Sequence, residues 1–90
     1  MNNIDALAIN KRFFHTIDVL IRMRRIRGLR TFTAAHNINY WNMCTIRNSP
    51  ETRNLPVEYL TWIVQDYNVS AEYLLTGIGC MFNESKGKTI

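Results

Sequence analysis

The side chains best equipped for chemistry in this chain are hydrogen-bond formers repeating at helical spacing across 39–48, where the sequence runs NYWNMCTIRN. Residues three and four apart share one face of a helix. Burying Met43 and Ile46 therefore turns Tyr40, Trp41, Cys44, Thr45 and Asn48 outward, with Asn42 and Arg47 flanking them. Asn48 carries a donor and an acceptor side by side, which fits an adenine edge, and Thr45 offers a methyl to thymine or a hydroxyl to either partner. Arg47 suits a phosphate. Each good bidentate base contact is worth about 1–3 kcal/mol of discrimination, while phosphate contacts set register. Tyr40 is amphipathic and suits a base methyl or a phosphate. Trp41 has two readings, packing back on the core or meeting nucleic acid or a partner chain.

Charge points the same way. Residues 1–48 hold eight Lys/Arg against two Asp/Glu, a balance of +6, whereas 49–90 hold three against five, a balance of −2. Arg22, Arg24, Arg25, Arg27 and Arg30 crowd into nine residues just before the polar stretch. A one-sided basic footprint favours a polyanion, because neutralised phosphates release counterions. Arg30 and the first-turn N–H groups of the helix it opens are placed to meet a phosphate.

The remaining elements must hold that stretch in place. Ninety residues suffice for one domain with one modest core. Asn10 reads as the cap of a first long helix ending near Arg27, with Phe13, Phe14, Ile17, Leu20, Ile21 and Met23 on its apolar face. Gly28 reads as its stop. A short second helix spans about 30–36 and sends Phe32 and Ala35 inward. Asn37 takes the left-handed turn, and Asn39 caps the helix 40–48. The polar loop NSPETRNL at 48–55 follows, and Arg53 in it is a phosphate candidate. Pro56 opens a fourth helix whose stripe is Val57, Leu60, Ile63, Val64 and Tyr67, and which ends at Asn68. Ser70 caps a last short helix that Gly77 closes. Residues 1–9 read as an arm or short helix and 78–90 as a frayed tail.

The pair of helices around Asn37 resembles the helix-turn-helix of phage-repressor-like DNA-binding domains, the lambda repressor and Cro type. Asn37, Ile38 and Asn39 match in role the turn-opening, apolar and capping positions, with Asn where Gly is usual. Met43 and Ile46 match two buried positions of the recognition helix. Thr33 stands where a small residue is common, His36 where an apolar one is, and the first helix of the pair is about two residues short. The segment VSAEYLLTG at 69–77 is similar to the closing helix of such domains. The resemblance spans roughly residues 10–77.

It implies an all-α compact bundle of about five helices. It also implies a sequence-specific binder of double-stranded DNA, a repressor of phage or mobile-element type acting as a homodimer. Separately, Cys44 and Cys80 suggest no disulfide framework, so a reducing cytoplasm is the expected setting. The DNA-binding residues would be Arg30, Asn39, Tyr40, Trp41, Asn42, Thr45, Arg47, Asn48 and Arg53. Trp62, the segment 78–82, Ile4 and Leu7 are candidates for the dimer contact. The alternative is a protein-interaction module, antitoxin-like or adaptor, using the Tyr40 and Trp41 surface.

Other chemistries find no support in the residues. GxGxxG, P-loop, HExxH and CxxC motifs do not occur. His15, His36, Cys44 and Cys80 lack metal-ligand spacing, so neither metal nor cofactor is expected, and no nucleophile has an orienting carboxylate. An enzyme is not expected. Cys44 reads as a packing residue, with a thiol sensor as the rarer reading.

Overall fold

The computed structural model describes residues 4–83, and the chain separates into two units at the junction of Leu55 and Pro56. The described residues are all-helical apart from one isolated β-bridge: α1 (Ile4–Arg22), α2 (Leu29–Ala35) and α3 (Tyr40–Asn48) belong to the first unit, α4 (Val57–Tyr67) and α5 (Ala71–Thr76) to the second. Class and helix number follow the sequence expectation. The first unit holds three of these helices and the second holds two.

In the first unit, α1 carries Phe13, Phe14, Ile17 and Leu20 at helical spacing, and all four are buried. Phe13 meets Phe14 edge-on at 5.0 Å and Phe32 of α2 at 5.8 Å, the offset geometry aromatic quadrupoles prefer. Ile26, Leu29, Met43 and Ile46 complete the unit's buried apolar set, and α3 packs on both α1 and α2. Met23 departs from the expected stripe and is exposed.

Both predicted ends of the first helix are corrected. The helix is already under way at Ile4, so residues 4–9 form no separate arm and Asn10 is an interior residue, only 2% exposed. Residues 1–3 lie outside the described residues. At the other end the helix stops at Arg22, not near Arg27. Arg24 takes the left-handed conformation at φ 62°, its N–H donating to the Ile21 carbonyl and that of Arg25 to the Leu20 carbonyl. This is the paired hydrogen bonding of a Schellman stop, with arginine where glycine is usual. Gly28, at φ 176°, is extended backbone at the start of α2 instead.

In α2, Phe32 is buried as expected, but Ala35 is exposed and Leu29 and Thr33 face inward. Thr33 tolerates this because its hydroxyl donates to the Arg30 carbonyl at 3.1 Å. His36 is half-buried and tilts against the Phe32 ring at 5.1 Å. Asn37 adopts φ 55°, the left-handed turn predicted for it.

In the second unit, Pro56 stands at the N-cap of α4, and Asn68 ends the helix in the left-handed region at φ 57°. The predicted stripe is rotated. Tyr59 and Ile63 are the buried pair, Val57 is 70% exposed, and Leu60, Val64 and Tyr67 are half-buried. Trp62 stacks on Tyr59 at 5.7 Å. Ser70 caps α5 by accepting the Tyr73 N–H, and Gly77 closes it at φ 78°. The predicted frayed tail is corrected for its first part. Val69 and Phe82 form an antiparallel bridge, with the Ser70 N–H donating to Met81 and the Asn83 N–H to Asn68. Residues 84–90 of that tail lie outside the described residues.

Candidate nucleic-acid interface

The outward face of α3 is set by its start and by two buried side chains. Asn39 takes extended backbone at φ −67° and ψ 118°, and its Oδ1 accepts the Asn42 N–H at 2.9 Å. The cap satisfies a donor that the first helical turn otherwise leaves without a partner. Met43 is fully buried and Ile46 nearly so. With those two inside, Trp41, Asn42, Arg47 and Asn48 are exposed, and Tyr40, Cys44 and Thr45 are half-buried beside them.

Tyr40 is the centre of the surface. The Arg30 guanidinium lies over its ring at 3.8 Å and stands 5.7 Å from the Trp41 ring. Tyr40 and Trp41 meet edge-on at 5.0 Å. Planar guanidinium on an aromatic face is a favourable cation–π pairing, worth roughly 0.5–1 kcal/mol where water has access. A hydrogen bond with the Cys44 side chain raises the Tyr40 phenol above its usual pKa, with Arg30 and Arg47 opposing. Trp41 remains 68% exposed, so of its two sequence readings the packed one does not hold.

Thr45 is half-buried and donates its hydroxyl to the Trp41 carbonyl at 3.0 Å, which commits its proton and leaves its oxygen able to accept. Arg47 lies 3.8 Å from the Asp18 carboxylate on α1. Arg53 sits in the turn after α3, where its N–H and that of Thr52 both donate to the Ser49 carbonyl. All nine predicted site residues thus fall within the first unit. The structure joins Arg30, Tyr40 and Trp41 into one cluster and sets Asn39, Asn42, Thr45, Arg47 and Asn48 along the same helix.

Arg27 was missed as a member of this surface. With Gly28, Leu29, Arg30, Thr31 and Tyr40 it lines an open recess of about 440 Å³. The signal was the arginine run itself, but without the position of the helix stop it does not say which arginines turn toward α3.

No family model, curated protein or solved structure matches the chain.

Among the described residues, no group of three or more His, Cys, Asp or Glu is arranged to hold a metal ion. No helix among them is long and apolar enough to cross a membrane. Both cysteines are free thiols. The α3 surface gathers hydrogen-bonding, cationic and aromatic groups.

Proposed function

We propose that this chain is a sequence-specific double-stranded DNA-binding regulator of transcription, a repressor of the phage type, with α3 as the recognition helix in the major groove. The observation that carries the reading is a capped helix, locked by Met43 and Ile46, that presents Trp41, Thr45 and Asn48 on one accessible side with Asn42 and Arg47 at its two edges. An α-helix fits the major groove, where amide and hydroxyl groups read base edges, and Arg47 at the edge suits a phosphate. The excess of arginine in the same unit supports phosphate neutralisation. A homodimer belongs to this reading, since paired half-sites mirror a two-fold protein. In the second unit, Val57 and Ile78 are exposed apolar side chains that such a contact could cover.

The test is binding to a random-sequence duplex pool, followed by fluorescence anisotropy across a salt series and sequencing of the retained fraction. The reading expects steep loss of affinity with salt and an enriched two-fold motif. A steep slope with no enrichment would leave a basic, non-specific binder.

The rival reading is a protein-interaction module of adaptor or antitoxin type, and the exposure of Trp41 is the observation in its favour. Aromatic anchors of this sort dominate protein interfaces. It expects salt-insensitive binding to a protein and no affinity for duplex at low salt.

A further inference from the structure

We propose that Arg30, Tyr40 and Trp41 act as one unit that reads thymine next to guanine in the major groove. The inference rests on the DNA-binding reading above and names the bases that one part of the site takes.

Tyr40 and Trp41 open α3, while Arg30 comes from the first turn of α2. The Arg30 side chain is not spread along its own helix. Its guanidinium lies on the Tyr40 ring at 3.8 Å, drawn to the face that carries the other candidate base-reading groups. Stacking fixes the plane of the guanidinium and leaves its N–H edges available, and that planar fork matches two acceptors side by side. Guanine presents such a pair, O6 and N7, in the major groove.

The second half of the unit is apolar. The Trp41 indole is 68% exposed and 5.7 Å from the same guanidinium. A lone phosphate would satisfy the Arg30 fork and leave the indole without an apolar partner. A thymine adjacent to the guanine supplies that partner through its 5-methyl group. Neighbouring bases rise about 3.4 Å along a strand and are also twisted about the axis, so their major-groove edges lie farther apart than the rise, within reach of a fork and a plate 5.7 Å apart. Tyr40 is a positioning residue in this scheme: it holds Arg30 on one side and braces Trp41, edge-on at 5.0 Å, on the other.

The experiment uses the full chain and a duplex bearing the motif enriched by selection. At each thymine–guanine step, thymine is replaced by deoxyuridine, which lacks the methyl, or guanine by 7-deazaguanine, which lacks N7. Affinities are measured for the parent protein and for Arg30→Leu, Tyr40→Phe, Tyr40→Leu and Trp41→Ala, with circular dichroism melts confirming that each variant folds. At one step the parent should lose at least about fivefold affinity with either analogue, the lower end of a specific base contact. Trp41→Ala should be indifferent to deoxyuridine, and Arg30→Leu, which has no donor, and Tyr40→Leu indifferent to 7-deazaguanine. Tyr40→Phe should respond as the parent does, because the ring rather than the hydroxyl holds Arg30. An enriched motif without such a step overturns the proposal, as does a parent blind to both analogues, or Trp41→Ala, Arg30→Leu and Tyr40→Leu proteins that respond like the parent. In each of those cases the DNA-binding reading survives. Absence of any duplex binding overturns both.

Discussion

The Arg47 guanidinium lies 3.8 Å from the Asp18 carboxylate and links the last turn of α3 to α1. Both side chains are 44% accessible, so the pair adds well under about 1 kcal/mol to stability. Its weight is on binding, because the carboxylate competes with a phosphate for the same cation. Asp18→Asn should therefore bind duplex several-fold more tightly at low salt, with a melting temperature close to the parent's. Titrations at two salt concentrations check this, and unchanged affinity would mean that Arg47 does not reach the backbone.

Thr45 and Asn48 should govern preference at particular base pairs. The Thr45 hydroxyl already donates to the Trp41 carbonyl, so its methyl is the more available feature. Thr45→Val should retain preference at its base pair and Thr45→Ser should relax it, while Asn48→Ala should relax preference at a different position. Arg47→Ala should instead weaken all sequences alike and reduce the salt slope by about 1. Selection experiments on each variant decide the matter. Motifs identical to the parent's for the Thr45→Ser and Asn48→Ala proteins would remove α3 from the recognition role.

The stop of α1 can be tuned without altering the outward side chains of α3. Arg24 holds a left-handed backbone at φ 62°, which costs a non-glycine residue roughly 1–2 kcal/mol. Arg24→Gly relieves that strain and gives back part of it as unfolded-state entropy, so a gain of roughly 0.5–1 kcal/mol is expected. Gly28 is extended, and a Cβ built there has no atom within 4 Å. Gly28→Ala should accordingly be stabilising by roughly 0.4–1 kcal/mol. Urea midpoints at constant m-value test both. Destabilisation by Gly28→Ala would return the helix stop to that glycine.

Alkaline pH should weaken the fold through Tyr59. Burial, and then the neighbouring Glu58 charge, push its phenol above the ordinary value of 10.0. The folded state thus holds its proton to higher pH than the unfolded chain does. The stability this contributes is complete below about pH 10, the unfolded value, and is lost as pH rises through the folded value. Tyr59→Phe should flatten the fall in stability above pH 10, followed by circular dichroism melts from pH 8 to 11. A curve unchanged by the substitution would assign the alkaline loss to other groups.

The elements with local chemical signatures were legible in the sequence. Asn39, Ser70, Asn68 and Gly77 cap or close their helices where side-chain chemistry and backbone preference say they should. The apolar spacing of α1 and of Met43 with Ile46 also held. What failed depended on partners distant in sequence or on a rule with exceptions. Arg24 took a backbone that residue statistics assign to Gly28. Asn10 looked like a cap because nothing local says that the helix before it is already formed. In α4 the period of the stripe was right but its phase was not, since several apolar residues lie off the stripe and only packing selects Tyr59 and Ile63. Within the candidate site, the outward side chains of α3 followed from helical spacing. The stacking of Arg30 on Tyr40 did not, because it joins two helices across a turn.

The pairing of Met81–Asn83 with Asn68–Ser70 has a consequence for hydrogen exchange. Asn68 and Asn83 each add a side-chain donation, to the Asn83 and Val69 carbonyls, so a two-stranded clasp brackets the six residues of α5. A six-residue helix would ordinarily fray on its own, for want of enough turns to offset nucleation. Here the Ser70 and Asn83 amides should exchange together with those of α5, as one cooperative opening unit. Cleaving the chain after Gly77 would then convert that shared protection into the rapid exchange of a loose terminal turn.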